Sequence, residues 1–281
     1  MLSYRHGFHA GNHADVLKHV VLVQLLQHLT RKDTPLWVID THAGAGSYSL
    51  ETGYAVRNAE FANGIGRLWS RRDLPAPVTD YVQQVRAVNR DGVLRTYPGS
   101  PQIAMQVMRA QDRLRCFELH TTESKSLQEH FHDAGRRVAV VAGDGFAGLK
   151  AVLPPPSRRG LVLIDPSYEV KEHYREVVAA MREALQRFAT GTYAVWYPLL
   201  RRREAENLPQ ELRRLATGDW LDVSLAIMAP AADGFGMHGS GLFVFNPPWN
   251  LEAALREAMP ALVDALGLDG AASFELQFQQ T

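Results

Sequence analysis

The 281-residue chain has a single cysteine, Cys116, so it can form no intrachain disulfide and suits a reducing compartment. It has no excess charge either. Its 30 basic residues face 30 acidic ones, which excludes a global nucleic-acid signature. Any nucleic acid must therefore be held by a local patch. Lysine is sparse, at Lys18, Lys32, Lys125, Lys150 and Lys171 alone. The remaining basic residues are arginines, which favour bidentate phosphate contacts and base stacking. Long apolar runs are missing too. The longest, Val16 to Leu29, is interrupted by Lys18, His19, Gln24, Gln27 and His28, and is too short and polar to span a membrane. Met1 to His9 holds no apolar signal core. These absences predict a soluble, cytoplasmic protein with no membrane partner. There is no internal repeat, low-complexity tract or long linker.

What is present is a rhythm of strands and helices. Hydrophobic residues make up 46% of the chain, enough for one large domain over residues 1–281. Val16, Leu17, Val20, Val21, Leu25 and Leu29 follow a helical period, predicting a helix over 12–31 with Asn12 as its N-cap. Strands are predicted at 36–40, 113–119, 138–143, 160–165, 191–197, 223–229 and 241–246. Helices are predicted at 101–110, 122–134, 170–188, 201–216 and 250–265. The alternation gives an α/β fold, a seven-stranded, mostly parallel sheet with helices on both faces. Residues 48–98 break the rhythm, with a helical pattern near 79–90, and read as an inserted, mainly helical subdomain.

The chemistry collects at strand ends. Leu161 to Ile164 form an apolar run that stops at Asp165-Pro166-Ser167-Tyr168. A carboxylate and the Pro166 carbonyl can both accept hydrogen bonds from an exocyclic amine, and Tyr168 offers a ring for stacking on a flat base. Upstream, Asp40-Thr41-His42-Ala43-Gly44-Ala45-Gly46 follows a short buried strand. Its glycines let a nucleotide-like ligand approach the backbone. The Gly-x-Gly-x-x-Gly dinucleotide pattern is absent, and no Lys-Ser/Thr follows to make a P-loop. That argues against a nicotinamide-dependent oxidoreductase. Glu118 ends another strand, as a ribose-binding acid or an exposed strand-end acid. Gly143-Asp144 ends the next, either receiving the exocyclic amine of a cofactor adenine or capping a helix. The convergence of these acids at the carboxyl ends of parallel strands is the strongest signal, because open α/β sheets bind ligands there.

Other features are weaker. Asn246-Pro247-Pro248-Trp249 matches an amino-methylating turn by letter, but it ends a strand expected to run antiparallel and so to point away from the site. His6, His9, His13, His19 and His28 cluster near the N-terminus without Cys or His-Glu-x-x-His, which favours a polar lining for the site over a metal centre. Arg201-Arg202-Arg203 and Arg213-Arg214 read as a solvated helix face or as phosphate contacts.

Met1-Leu2-Ser3-Tyr4-Arg5-His6 and Phe8-His9-Ala10-Gly11-Asn12-His13-Ala14-Asp15-Val16-Leu17-Lys18-His19 closely resemble the RlmJ family of 23S ribosomal RNA adenine-N6 methyltransferases. Asp40 to Gly46, Tyr97-Pro98-Gly99-Ser100-Pro101 and Ala194-Val195-Trp196-Tyr197-Pro198 are similar to that family as well. The resemblance covers essentially the whole chain. It implies a Rossmann-like methyltransferase fold using S-adenosylmethionine (SAM), with no metal. It implies methylation of the N6 amine of one adenine in 23S ribosomal RNA, adenine 2030 in the family's activity name, during ribosome biogenesis. The acceptor base would be flipped or unpaired, and the protein a monomer. By residue-wise carry-over, His19, His42, Ser100, Glu118, Gly143 and Asp144 would bind SAM, with Gly44 in the glycine turn and Lys18 lining the same pocket. Asp165 would be catalytic and touch the cofactor, with Pro166 and Tyr168 beside it. Tyr4 would contact the RNA, with His6 nearby. One residue departs from the pattern: the family turn is Asp-Pro-Pro-Tyr, and Ser167 replaces its second proline. Serine loosens the turn but keeps its acceptors, so slower catalysis or compensation is expected. A DNA adenine methyltransferase and an RNA-binding protein with an impaired site are the alternatives.

Overall fold

The computed structural model describes residues 6–52 and 59–280. Its spine is helix α1, His13–Leu29, in which every residue from Ala14 to Leu26 is buried. A helix covered on all sides belongs inside the molecule, and apolar residues occupy most of its circumference. Asn12 starts it: its Oδ1 accepts the N–H groups of Ala14 and Asp15, both at 3.0 Å. Two donors that the first turn leaves without partners are satisfied in this way. Beyond the other end, Arg159 donates to the carbonyls of Leu29 and Thr34, fixing the turn that leads to the sheet.

The sheet contains β1 (Trp37–Asp40), β4 (Arg113–Glu118), β5 (Val138–Ala142), β6 (Gly160–Ile164), β7 (Thr192–Leu199), β8 (Trp220–Ala226), β9 (Gly239–Phe245) and β10 (Ser273–Gln279). Their order is β10-β8-β9-β7-β6-β1-β4-β5. Strands β5, β4, β1, β6 and β7 pair in parallel, whereas β9 runs antiparallel to both β7 and β8. Eight strands are present where the sequence reading gave seven. The additional one, β10, pairs antiparallel with β8 and closes that edge. It alternates Phe274, Leu276 and Phe278 with Glu275 and Gln277, the pattern of a half-covered edge strand.

Helices cover both faces. On one lie α1, α2 (Ile65–Trp69), α3 (Ala76–Ala87), α4 (Ser100–Val107) and α9 (Leu251–Leu266); on the other lie α6 (Gly145–Val152), α7 (Glu172–Arg187) and α8 (Arg203–Leu215). Strand β6 shows why both layers are needed. Leu161 and Leu163 enter one core, and Val162 and Ile164 enter the other, so neither face of the strand can meet water. Helix α5 (Thr121–His130) is shorter than the predicted 122–134, because a 3₁₀ turn containing Gly135 at φ 56° follows it. Helix α6 is not among the predicted helices, although a helix cap was one reading of Asp144; it opens at that residue. Residues 48–98 leave the sheet through β2 (Ser47–Ser49) and return through β3 (Thr96–Pro98), which pair as a small antiparallel ladder. Between them, α3 presents Val78, Tyr81, Val82 and Val85 to the main core.

The strand order reverses direction between β1 and β6. The chain moves outward from β1 through β4 to β5, then crosses back to β6. In open α/β sheets the crevice beyond such a switch point receives ligands. Truncating the spine should be costly: Leu25→Ala, at a site with no exposure, is expected to destabilise the fold by about 2–5 kcal/mol in urea unfolding.

Candidate functional site

The loops after β1, β4, β5 and β6 enclose a cavity of about 310 Å³, lined by His42, Gly44, Ser100, Glu118, Asp144 and Asp165 among others. The glycine turn is held open on this cavity by its neighbours. Gly44 has φ +59°, and a Cβ there would lie 2.1 Å from the Tyr48 hydroxyl, so a larger residue is excluded both by conformation and by space. Its N–H donates to Glu118 Oε2 at 2.8 Å, while Glu118 Oε1 accepts the N–H of His120 at 2.7 Å. Glu118 thus joins the β1 and β4 loops. Burial raises its pKa against the pull of those two backbone donors. Asp144 caps α6 by accepting the Phe146 N–H at 2.8 Å, the second of its two readings, and it also lines the cavity.

Beneath the turn sits Asp40. Its Oδ2 accepts the Ser100 hydroxyl at 2.6 Å, and its Oδ1 accepts the His42 N–H at 3.2 Å. Burial dominates and lifts its pKa to about 6, with the Asp165 charge adding to the rise. His42 is driven the other way, to about 3, by burial and then by His173, so it faces the cavity as a neutral ring. Its Nδ1 meets the Thr41 hydroxyl at 2.8 Å, and its ring stands edge-on to Phe146 at 5.0 Å.

Asp165 lies at the end of β6 in a buried chain of charges. Lys18 Nζ is 2.6 Å from Asp165 Oδ2 and 2.7 Å from Asp15 Oδ1. Asp15 Oδ2 in turn accepts the Gly11 N–H and meets His6 Nε2, both at 2.9 Å. Burial would lower the Lys18 pKa, but the two carboxylates outweigh it and the net direction is up. Burial would raise Asp15, but His6 and Lys18 hold it well below the usual carboxylate range. Asp165 stays raised because burial exceeds the pull of Lys18. Asp165 Oδ1 makes no hydrogen bond with the described residues.

A second cavity of about 210 Å³ lies beyond this chain. His6, Lys18, Asp165 and Ser167 border both cavities and form the wall between them. Its apolar side is Trp196, Pro198, Leu200 and Met237. Met237 was not singled out in the sequence, and Asp15 was visible there only as part of the N-terminal motif. Trp196 was visible there only as part of a motif, and no local pattern could have placed it in one cavity with Asp165.

Several expected residues stand elsewhere. His19 is wholly buried behind the cavity rather than lining it; its Nδ1 meets the Tyr97 hydroxyl at 2.7 Å, and burial lowers its pKa to about 3. Gly143 is not among the lining residues; its N–H donates to the Glu118 carbonyl at 3.0 Å and so aligns the two strand ends. Tyr168, expected to offer a stacking face, is 2% exposed. Its hydroxyl donates to the Trp196 carbonyl at 2.7 Å, and its ring packs at 4.6 Å from that of Tyr174. Tyr168 has φ 51°, and its ring lies in the core. Pro166 lines the larger cavity. Tyr4 lies outside the described residues. Asn246 donates to the carbonyls of Ala189 and Gly191, just before β7, so its turn sits at the opposite end of the sheet from Asp165. Among the described residues no three His, Cys, Asp or Glu side chains gather to hold a metal ion. No helix there is long and apolar enough to cross a membrane.

The buried carboxyl of Asp40 gives a test of this electrostatics. Its folded pKa, about 6, lies above the ordinary 3.8, so the native state holds a proton that the unfolded chain has lost between those values. Stability should therefore fall as pH rises through that window. Asp40→Asn, which can keep partners for Ser100 and His42, is expected to remove that slope and to gain on the order of 3 kcal/mol at pH 7. Urea unfolding from pH 4 to 8 checks both; an unchanged slope would contradict the assignment.

A family model described as "Ribosomal RNA large subunit methyltransferase D, RlmJ" matches residues 33–277. The chain is 47% identical over 262 residues to Ribosomal RNA large subunit methyltransferase J of Escherichia coli K12, covering 93% of each. It is 44% identical over 279 residues to the protein of that name from Haemophilus influenzae, covering 99% of each. A crystal structure of a Legionella pneumophila protein aligns with a TM-score of 0.88 and 37% identity, over 96% of this chain and 98% of that one.

Proposed function

The chain belongs to the RlmJ family of large-subunit ribosomal RNA methyltransferases, and from that premise we propose that its acceptor is the N6 amine of one adenine. It is a SAM-dependent enzyme acting on ribosomal RNA. The finer reading is methylation of adenine 2030 of 23S ribosomal RNA, in the cytoplasm, by a monomer, during ribosome biogenesis. One observation carries it: a single carboxylate, Asp165, stands in the wall between two cavities at the carboxyl end of the parallel strands.

The larger cavity suits SAM. Around it His120 Nδ1, Glu123 Oε2 and His173 Nδ1 are buried without partners, polar atoms that an amino acid and ribose can satisfy. Glu118 would hold the ribose, and the Gly44 turn lets the ligand approach the backbone. Asp144, His42, Lys18 and Ser100 complete the lining. Gly143 aligns Glu118 with Asp144, and His19, whose Nε2 is buried without a partner, would act from behind through Tyr97. When bound, the cofactor supplies an electrophilic methyl group on a sulfonium.

The smaller cavity would take the target adenine, flipped out of its stack or already unpaired. Asp165 Oδ1 and the Pro166 carbonyl would accept the two N–H bonds of the amine. That frees a lone pair otherwise delocalised into the ring. Lys18 holds Asp165 in place and favours its charged form against burial, while the carboxylate orients the amine, and positioning of this kind can supply up to about 7–11 kcal/mol. The proton lost from nitrogen would pass to Asp165 directly or through water. Trp196 would give the base an apolar wall, and Tyr168 would anchor the turn from below. Tyr4 and His6 would guide RNA at the entrance. Residues 48–98 would serve as an inserted unit that sets β3, and with it Ser100, against the cavity.

Transfer of labelled methyl from SAM to protein-free 23S ribosomal RNA, followed by nucleoside digestion, should yield N6-methyladenosine and leave DNA unlabelled. Label confined to DNA, or to another nucleoside, would overturn the reading. Asp165→Asn is expected to lower kcat by about 10²-fold. Ser167 donates no backbone hydrogen bond to the described residues, so Ser167→Pro costs none and should stiffen the turn. A rise in kcat of about twofold or more is expected, with KM unchanged; a fall in kcat would show that the looser turn is needed.

A further inference from the structure

We propose that the loop between β8 and β9 is a second RNA-binding element, in which Phe235 stacks on an unpaired base adjoining the target adenine. This rests on the reading of the protein as a ribosomal RNA methyltransferase and extends it to a surface outside both cavities. The loop is tied to the site at its base. The His238 N–H donates to the Leu199 carbonyl at 3.2 Å, and Met237 lines the smaller cavity with Asp165. Phe235 stands two residues away and is 79% exposed, more than any other large hydrophobic residue among those described.

The ring is held out by its backbone. Gly234 and Gly236, on either side, have φ of 76° and 87°, a region that side chains rarely adopt. The Phe235 N–H donates to Asp233 Oδ1 at 3.0 Å, and the Gly234 N–H donates to the Ala231 carbonyl at 2.9 Å. The tip is thus a built turn that displays an apolar ring to water beside the catalytic wall.

Its surroundings fit a nucleic-acid strand. Gly234 lies against Arg201, and Arg201 and Arg203 are both exposed. The nearby acids are engaged: Asp233 holds the turn, and Glu204 pairs with Lys171 at 3.1 Å. An aromatic face with an exposed arginine next to its turn can recognise unpaired bases and their phosphates without reading sequence. Extruding a base leaves its neighbours without a stacking partner, and the loop offers one two residues from Met237, which lines the cavity that would receive the target.

The test uses the full chain, SAM and protein-free 23S ribosomal RNA. Phe235→Ala should raise KM for RNA about tenfold, the size of one lost stacking contact, with Kd for SAM and the melting temperature unchanged. Phe235→Trp should restore KM, which a merely structural role would not predict. Arg201→Ala should make the KM less dependent on salt. A wild-type KM in Phe235→Ala, or a failure of Phe235→Trp to rescue, overturns the proposal while leaving the enzyme's activity in place. No methylation of RNA by the wild-type chain overturns the functional reading, and the loop's role with it.

Discussion

The structure depends on one buried ammonium. Lys18 is 4% exposed and lies between two carboxylates, Asp15 on its own helix and Asp165 at the end of β6. Charges so deep are tolerable only when they are paired, and removing one partner of such a group typically costs about 3–5 kcal/mol. The pairing fixes the rotation and depth of α1 against the sheet. It also fixes the acid that separates the two cavities. The packing of α1 and the position of Asp165 in the cavity wall are therefore set by the same contact, which explains why the central helix carries Asp15 and Lys18 on its buried surface.

Much of this was legible in the sequence, for identifiable reasons. Parallel strands such as β6 are apolar on both faces, and their ends are marked by acids, so Asp40, Glu118, Asp144 and Asp165 announced themselves. The edge strand β10 was overlooked because its alternation is short and polar, and α6 because Gly145 and Gly148 dilute its helical signal. Side-chain direction was less accessible. Nothing local says that Tyr168 adopts a left-handed backbone and turns inward, or that His19 reaches Tyr97 instead of the cavity. Both outcomes are decided by residues far along the chain. The smaller cavity was illegible for the same reason, since α1, the β6 turn, β7 and the β8–β9 loop each contribute to it.

The balanced charge of the chain also has a structural meaning. Most acids near the site are already committed, to Lys18, to backbone donors or to Ser100. The exposed arginines after β7 are then a local excess of positive charge on a molecule that is neutral overall. A body that is neutral overall avoids indiscriminate adhesion to polyanions, and a basic margin such as this one acts only over a short range.

Glu118 has a consequence for the thermodynamics of ligand capture. Each of its oxygens already accepts one backbone N–H, from Gly44 and from His120, and each retains a second lone pair. The acid can therefore accept a pair of hydroxyl groups without releasing either loop. Two segments that a ligand would otherwise have to order are ordered beforehand by the protein's own carboxylate. The entropic penalty of assembling the cradle is met during folding, so the free energy of each new contact can appear undiminished as affinity.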